Sequence, residues 1–295
     1  MKEYLTIAYI TFRRNPRFHW FTESLAREMN GRNTGVRIVV VDYYANERSE
    51  KVSQFHVAPK PCVWQGPHRL TSRDYFAAAN ARNTALCLAP DGWIAYVDDL
   101  SVLMPGWLNA VSDAMESGYI AQGAYKKVKD LSVRDGKMSY TPFTPGVDTR
   151  WWKGSDVCAV PSAPDWLYGC SAAMPVEALL SVNGWEEACD SLGSEDYITG
   201  FNLSKKGYEF RYDRRMLTLE SEEGHHEEPS LPRFDKGQSP NDKSHKILEL
   251  AREGKLSNEH VNIREMRHAA LKGEPFPIPT KPTHDWYDNQ PLSEL

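Results

Sequence analysis

The sequence is poor in the features that assign a chain quickly, and each lack closes off a class. Its five cysteines, Cys62, Cys87, Cys158, Cys170 and Cys189, are odd in number and show no CxxC spacing. That argues against a disulfide framework and a structural zinc site, and a reducing, cytoplasmic setting is the simplest reading. No apolar run approaches the length of a membrane span, and the opening MKEYLTIAYI lacks a signal-peptide cleavage pattern, so neither a span nor export by the general route is expected. A net charge of -5 gives no overall footprint for nucleic acid or anionic membrane, and such a partner would need a local basic patch. The segment TFRRNPRF, which follows the first apolar run, contains no glycine and so offers no glycine-rich phosphate loop. Internal repeats and low-complexity blocks are absent.

What is present fits one large α/β domain, or one such domain with appendages: 295 residues, 41% hydrophobic and 25% charged. Leu5–Ile10 is an apolar run stopping at Thr11, Phe18–Met29 has helical periodicity, and Val36–Val41 is a second run ending at Asp42. Strand, helix and strand in this order imply a right-handed crossover and parallel pairing, which makes the strand ends the place to look for ligands. A short strand is expected at Gln54–Val57, an Ala-rich helix at Ser72–Leu88, a helix at Gly106–Glu116 and a strand at Tyr119–Tyr125. The regular signal fades from Lys126 to Pro164, a length usually reserved for functional or mobile segments. Ser194 is placed to cap a helix running to Lys206 and closed by Gly207, and strands are expected at Tyr208–Asp213 and Met216–Glu220.

The most informative stretch is Trp93–Leu108, WIAYVDDLSVLMPGWL, where a strand buried on both faces delivers Asp98 and Asp99 at its end. Two like charges at the mouth of a buried strand are unfavourable without something positive between them, which points to a divalent cation. A solvated turn carrying two aspartates is the bland alternative. Glu195/Asp196 and His225/His226 have similar alternatives, as helix-start carboxylates favoured by the dipole and as an exposed loop.

Order and context favour function. Thr11 closes the first strand, VVVD ends at Asp42, ARN stands at Ala81–Asn83, and the strand-end acids precede MPGWL. Then come Pro-x-Glu-Ala-Leu at Pro175–Leu179, the turn NGWEE at Asn183–Glu187, and SEDYITGFNLSKKG from Ser194. In this order the motifs resemble those of the nucleotide-sugar-dependent glycosyltransferases with the GT-A fold, above all the inverting family 2 type, from about Leu5 to Glu228. The resemblance implies a Rossmann-like, mostly parallel sheet flanked by helices, over residues 1–228. Residues 1–125 would bind the nucleotide sugar, 126–228 would bind acceptor and carry catalysis, and 229–295 would be a helical, proline-rich appendage with little claim to a core of its own.

The resemblance also implies roles. Thr11, Asp42, Arg82 and Asp98 would bind the donor, most naturally a uridine diphosphate sugar, with Asp42 taking a hydrogen bond from the base. The family's D-x-D motif maps onto Asp98, Asp99 and Leu100, so the usual last metal ligand is a leucine. Asp99, with His225 or His226, would then hold Mn²⁺ or Mg²⁺ against the leaving diphosphate. Asp98 and Asp99 would point to opposite faces of a regular strand, so both serve one ligand only if the strand breaks there. Asp196, with Glu195 beside it, would take the proton from the acceptor hydroxyl, and single displacement would invert the anomeric centre.

Acceptor identity is less legible. Trp151, Trp152 and Trp166 lie among Lys126, Lys127, Lys129, Arg150 and Lys153, a mixture that suits a glycan, a small molecule or a modified nucleic acid. Two other functions stay open at this point, a nucleotidyltransferase and a degenerate, non-catalytic sugar-binding module.

Overall fold

The structure is a computed structural model and describes residues 4–30, 35–61, 76–134, 136–190, 193–227, 230 and 261–277. Ten strands in this set form one sheet in the order β3-β2-β1-β4-β9-β6-β10-β5, with β7 paired to β6 and β8 to β10. These are β1 (Leu5–Thr11), β2 (Val36–Asp42), β3 (Phe55–Val57), β4 (Trp93–Asp98), β5 (Ser101–Leu103), β6 (Ile120–Arg134), β7 (Lys137–Val147), β8 (Val160–Pro161), β9 (Ser171–Pro175) and β10 (Phe210–Ser221). The pairs β1–β2, β2–β3, β1–β4 and β6–β10 are parallel. The intervening β9 runs antiparallel to both β4 and β6, so β6 and β10 point the same way as β1 and β4.

Helices cover both faces. Helix α1 (Phe18–Met29) and α3 (Trp107–Ser117) bury Phe21, Leu25, Trp107 and Val111 on one side. Helix α2 (Ala78–Leu88) and α4 (Val176–Ser181) bury theirs on the other. Nearly all of α2 is buried, which its four alanines permit because small side chains let a helix lie close to a sheet. Its N-terminus is capped from far along the chain by Asp190, whose carboxylate accepts from Ala79 N at 2.7 Å and Asn80 N at 3.1 Å. Helices α5 (Glu195–Lys205), α6 (Glu222–Glu227) and α7 (Ile263–Leu271) complete the chain.

Two elements differ from expectation. The stretch from Lys126, read as irregular, continues β6 to Arg134 and returns as β7. Its pattern is hidden because β7 is mostly exposed and carries Pro142 and Pro145, which an edge strand tolerates and a central one does not. The two strands expected between Tyr208 and Glu220 are one, β10, with a register shift between Asp213 and Leu217. Among the described residues beyond 228, α7 packs on the rest of the chain: Ile263 and Met266 are buried in the α2 and α4 cluster. The expected helix at Lys243–Arg252 lies outside the described residues, as do residues 72–75 of the helix that becomes α2. No helix among the described residues is long and apolar enough to cross a membrane.

Candidate active site

Parallel strands bring their carboxyl ends to one edge, and here that edge gathers the residues singled out above. Thr11 pairs in register with Asp42 and Ile10 with Asp98, so the ends of β1, β2 and β4 lie side by side. At the end of β4, Leu100 takes a left-handed conformation, φ 57°, and the chain turns back into β5. This is the break that two adjacent aspartates need, but it sends them to different partners. The Leu100 side chain is wholly buried with Trp20, Val102 and Leu219, so the third position of the motif belongs to the core.

Asp99 is 8% exposed and both of its oxygens are engaged. The Thr11 hydroxyl donates to Oδ2 at 2.8 Å, and Arg13 Nε donates to Oδ1 at 3.0 Å. Arg13 Nη2 lies 3.0 Å from His225 Nδ1. Arginine only donates, so Nδ1 accepts and the ring proton sits on Nε2. His225 arrives here because β10 runs parallel to β6 and ends at the same edge before α6 begins. His226 does not join it: its side chain is 79% exposed and faces Glu222.

Asp98 turns the other way. Arg82, 4% exposed on α2, reaches Glu195 Oε1 through Nη1 at 2.7 Å and Asp98 Oδ1 through Nη2 at 3.4 Å. Gly169 permits this, since a Cβ there would stand 2.1 Å from Arg82 Cζ. One buried guanidinium thus ties the end of β4 to the start of α5. Desolvation, with Glu220, Asp99 and Glu195 nearby, pushes the Asp98 carboxyl up to about 6 despite the opposing Arg82.

Asp196 follows at the second position of α5, half-buried, with Oδ1 accepting from Tyr197 N at 2.8 Å. Desolvation first, then the Glu195 charge beside it, push its carboxyl up to about 7, against the pull of Arg82. Glu195 is held by Arg82, so the two adjacent acids are differentiated: one is an ion-pair anchor and the other is a carboxyl poised near neutrality.

The remaining donor-site candidates lie one layer deeper than expected. Asp42 is fully buried. It accepts from Tyr44 N at 2.8 Å and from Arg48 Nε at 2.7 Å, and it meets His56 Nε2 at 3.0 Å. Burial alone would raise its pKa, but these hydrogen bonds hold it below the usual value. Thr11 is likewise fully buried, and Asp98, with 37% of its side chain exposed, is the one of the four that faces the opening. Thr11, Asp42 and Arg82 therefore shape the cleft by holding Asp99, Arg48 and Glu195.

On the far side Trp151, Trp152 and Trp166 do come together with basic side chains. Lys126 Nζ sits 3.6 Å from the Trp151 ring centroid, and Lys153 lies over both Trp166, at 4.4 Å, and Trp152, at 4.9 Å. Trp152 is 75% exposed. Gly200 lets the turn Pro164–Trp166 rest on α5, since a Cβ there would be 2.1 Å from Pro164 O, which brings this aromatic wall towards Asp196. Arg150 is no part of the open surface, being buried against Asp148 with its guanidinium stacked on Tyr168.

The residues expected to hold Mn²⁺ or Mg²⁺ are engaged elsewhere in this arrangement. Asp99 is bonded to Thr11 and Arg13, the His225 lone pair accepts from Arg13, His226 faces away, and Leu100 offers nothing. Among the described residues, no group of three or more His, Cys, Asp or Glu is arranged to hold a metal ion.

Sequence reasoning missed Arg13, Arg48, His56 and Glu220. Arg13 was findable, because it stands two residues beyond a strand whose end was already marked for ligands. The others were not, because each acts from a different element through a partner that only the fold supplies.

No family model matches the chain, and no curated protein does. Solved structures do. GalNAc-T7, crystallised with UDP, GalNAc and Mn²⁺, superposes with a TM-score of 0.57 at 12% identity, over 92% of this chain and 51% of that one. S. aureus TarS 1-349 in complex with UDP-GlcNAc gives a TM-score of 0.48 at 15% identity, over 75% of this chain and 59% of that one. The chain thus spans about half to three fifths of the length of these structures. The architecture, a mostly parallel sheet flanked by helices with the acids at its carboxyl edge, is the GT-A fold.

Proposed function

We propose that the chain is an inverting glycosyltransferase that moves a sugar from a nucleoside diphosphate, most naturally uridine diphosphate, to an acceptor hydroxyl. One observation carries the reading. At the edge where this fold gathers strand ends, Asp196, a carboxyl pushed up to about 7, sits beside Glu195, which Arg82 ties to the partly exposed Asp98. A base of that pKa suits proton removal from an alcohol at neutral pH, because it is both available and strong enough to pull. UDP in the GalNAc-T7 structure supports the choice of uridine.

In this reading the donor lies against the ends of β1 and β4 and the acceptor against the tryptophan wall. Residues 1–125 serve the donor and 126–228 the acceptor. The acceptor oxygen forms a bond to the anomeric carbon while that carbon's bond to the β-phosphate oxygen breaks, the electron pair leaving with the diphosphate. The acceptor proton passes to Asp196. With Asp196 acting as base, the displacement is single and the centre is inverted. Trp152 and Trp166 present faces on which a glycan ring stacks, so a glycan is the acceptor class proposed. The free thiols of Cys87 and Cys189, buried and without disulfides, suit a reducing cytoplasm.

The reading is tested by incubating the full chain with a panel of nucleotide sugars and following release of nucleoside diphosphate, with and without Mn²⁺. Slow release from one uridine diphosphate sugar is the expected result. An unchanged donor pool in every reaction would refute the transferase.

A further inference from the structure

The tryptophan wall carries positive charge that the described residues leave open. Lys126 Nζ stands 3.6 Å from the Trp151 ring centroid, and Lys153 Nζ stands 4.4 Å from that of Trp166 and 4.9 Å from that of Trp152. Neither ammonium makes a hydrogen bond or an ion pair with a described residue, so the N–H groups of both are available to a ligand. Contact with a ring holds an ammonium in place without neutralising it. Arg214 is the third cation: its Cζ lies 4.8 Å from the Trp151 centroid, Nη1 donates to Trp151 O at 3.0 Å, and Nε stands 3.0 Å from Asp156 Oδ1. Gly154 leaves room for it, since a Cβ there would be 2.5 Å from Arg214 Cγ. Asp156 is thus taken by Arg214, and Asp165, on the turn that carries Trp166, forms an ion pair with neither lysine. Burial lowers the Lys126 pKa, Asp156 opposes the fall and Arg214 adds to it. Two cations that share one ring repel, and an anion beside them relieves the repulsion.

We propose that this wall selects an acceptor glycan bearing anionic groups, carboxylate or phosphate, which meet Lys126 and Lys153 while one of its rings lies on Trp152. The inference rests on the glycosyltransferase reading and names the class of its acceptor. A neutral glycan is held by ring faces and by hydrogen bonds to its hydroxyls, and it gains little from positive charge fixed at those faces. An anionic one gains a charge-assisted hydrogen bond at each lysine. Because each ammonium already rests on a ring, its stem has less freedom to lose when the ligand arrives. A nucleic acid strand fits less well, since it wants a track of cations and a series of open faces for successive bases. Here two lysines are unpaired, and Trp152 alone of the three tryptophans is mostly exposed. The turn that carries Trp166 rests on α5, so the wall and Asp196 are built on one helix.

The experiment titrates the full chain by calorimetry with an oligogalacturonate, a phosphorylated mannan fragment, an uncharged galactan fragment of matched length and a single-stranded oligonucleotide. At low salt at least one anionic glycan should bind roughly tenfold tighter than the uncharged one, the sum expected of two lysine contacts. Which of the two it is separates carboxylate from phosphate. Physiological salt should remove most of the advantage, because the charges are open to solvent. Lys126→Ala combined with Lys153→Ala should remove it as well while affinity for the uncharged fragment is kept, a result that loss of folding would not give. Equal affinity for charged and uncharged fragments overturns the inference. So does an advantage that survives the double substitution, or binding of no glycan. An oligonucleotide that binds tighter than either anionic glycan assigns the wall to nucleic acid and overturns it too. The wild-type comparison needs no variant and no turnover, so failure to release nucleoside diphosphate from any donor would defeat the transferase reading and leave the charge preference measurable.

Discussion

On the β1–β4 side of the cleft charged groups are paired under protein: Asp42 with Arg48 and His56, Asp99 with Arg13, Glu195 with Arg82. On the β6–β10 side Lys126 and Lys153 lie over tryptophan rings at the surface, and Trp152 is three-quarters exposed. Buried ion pairs repay their desolvation only with good geometry, and removing one partner strands the other. An exposed aromatic wall carries no such penalty and adapts by rotating a side chain. In the proposed reading the first side holds one geometry and the second accepts a ligand, so substitutions should cost rate or stability on the first and acceptor affinity on the second.

The sharpest way to break that contrast is Asp196→Asn, which keeps shape but removes the proton acceptor. Turnover should fall by roughly 10² to 10⁴ with donor affinity nearly unchanged, read from steady-state kinetics and donor titration. The same variant tests the environment of the carboxyl. Its pKa is raised in the folded state, so the group stabilises the fold at acid pH, and that contribution is lost as pH rises through about 7. Asparagine should therefore melt higher than wild type in alkaline buffer but not in acid. Wild-type transfer with Asn in place would make Asp196 a helix-start charge and nothing more.

Next in size is Arg82→Met. Losing the cation that joins Asp98 to Glu195 leaves the mostly buried Glu195 carboxylate unpaired, at a cost of about 3 kcal/mol in denaturant unfolding. In enzyme that remains folded, the pKa of Asp196 should climb further, because Arg82 is what now opposes its rise. A pH–rate profile identical to wild type would show that Arg82 does not couple the two acids.

The wild-type profile gives a smaller effect. A base must be deprotonated to act, so kcat/KM should drop roughly tenfold per pH unit below about 7 and level off above it. A flat profile through this range would exclude Asp196 as the group in control.

The smallest effect is expected at Trp152→Ala on the exposed wall. Stability should change by less than about 0.5 kcal/mol and donor hydrolysis should not move, while the acceptor KM rises. Loss of donor turnover there would erase the distinction between the two sides.

Much of the β1–β4 side was legible in the sequence because parallel strands announce themselves as continuous apolar runs that stop at an acid or a threonine: Leu5 to Thr11, Val36 to Asp42, Trp93 to Asp98. A period of one strand and one helix then fixes direction, and direction puts the ends on one edge. The hairpin β6–β7 was not legible, because an exposed edge strand has no buried face to impose alternation and its prolines read as loop. Nor was the place of α7, whose Ile263 and Met266 have an ordinary amphipathic spacing that does not say which surface they cover.

The sequence by itself determined the fold class, the edge where chemistry gathers, and the residue types available there, since these follow from local pattern and strand direction. Only the tertiary structure decided which charges meet. Asp98 and Asp99 are neighbours in the chain, yet a left-handed turn at Leu100 sends one to Arg82 on α2 and the other to Arg13 beyond β1. Glu195 and Asp196 are neighbours too, and a guanidinium 113 residues away makes one an anchor and leaves the other poised near neutrality. Pairing energies depend on separations of a few ångströms and on how much water is displaced, and neither is set until elements distant in sequence have packed.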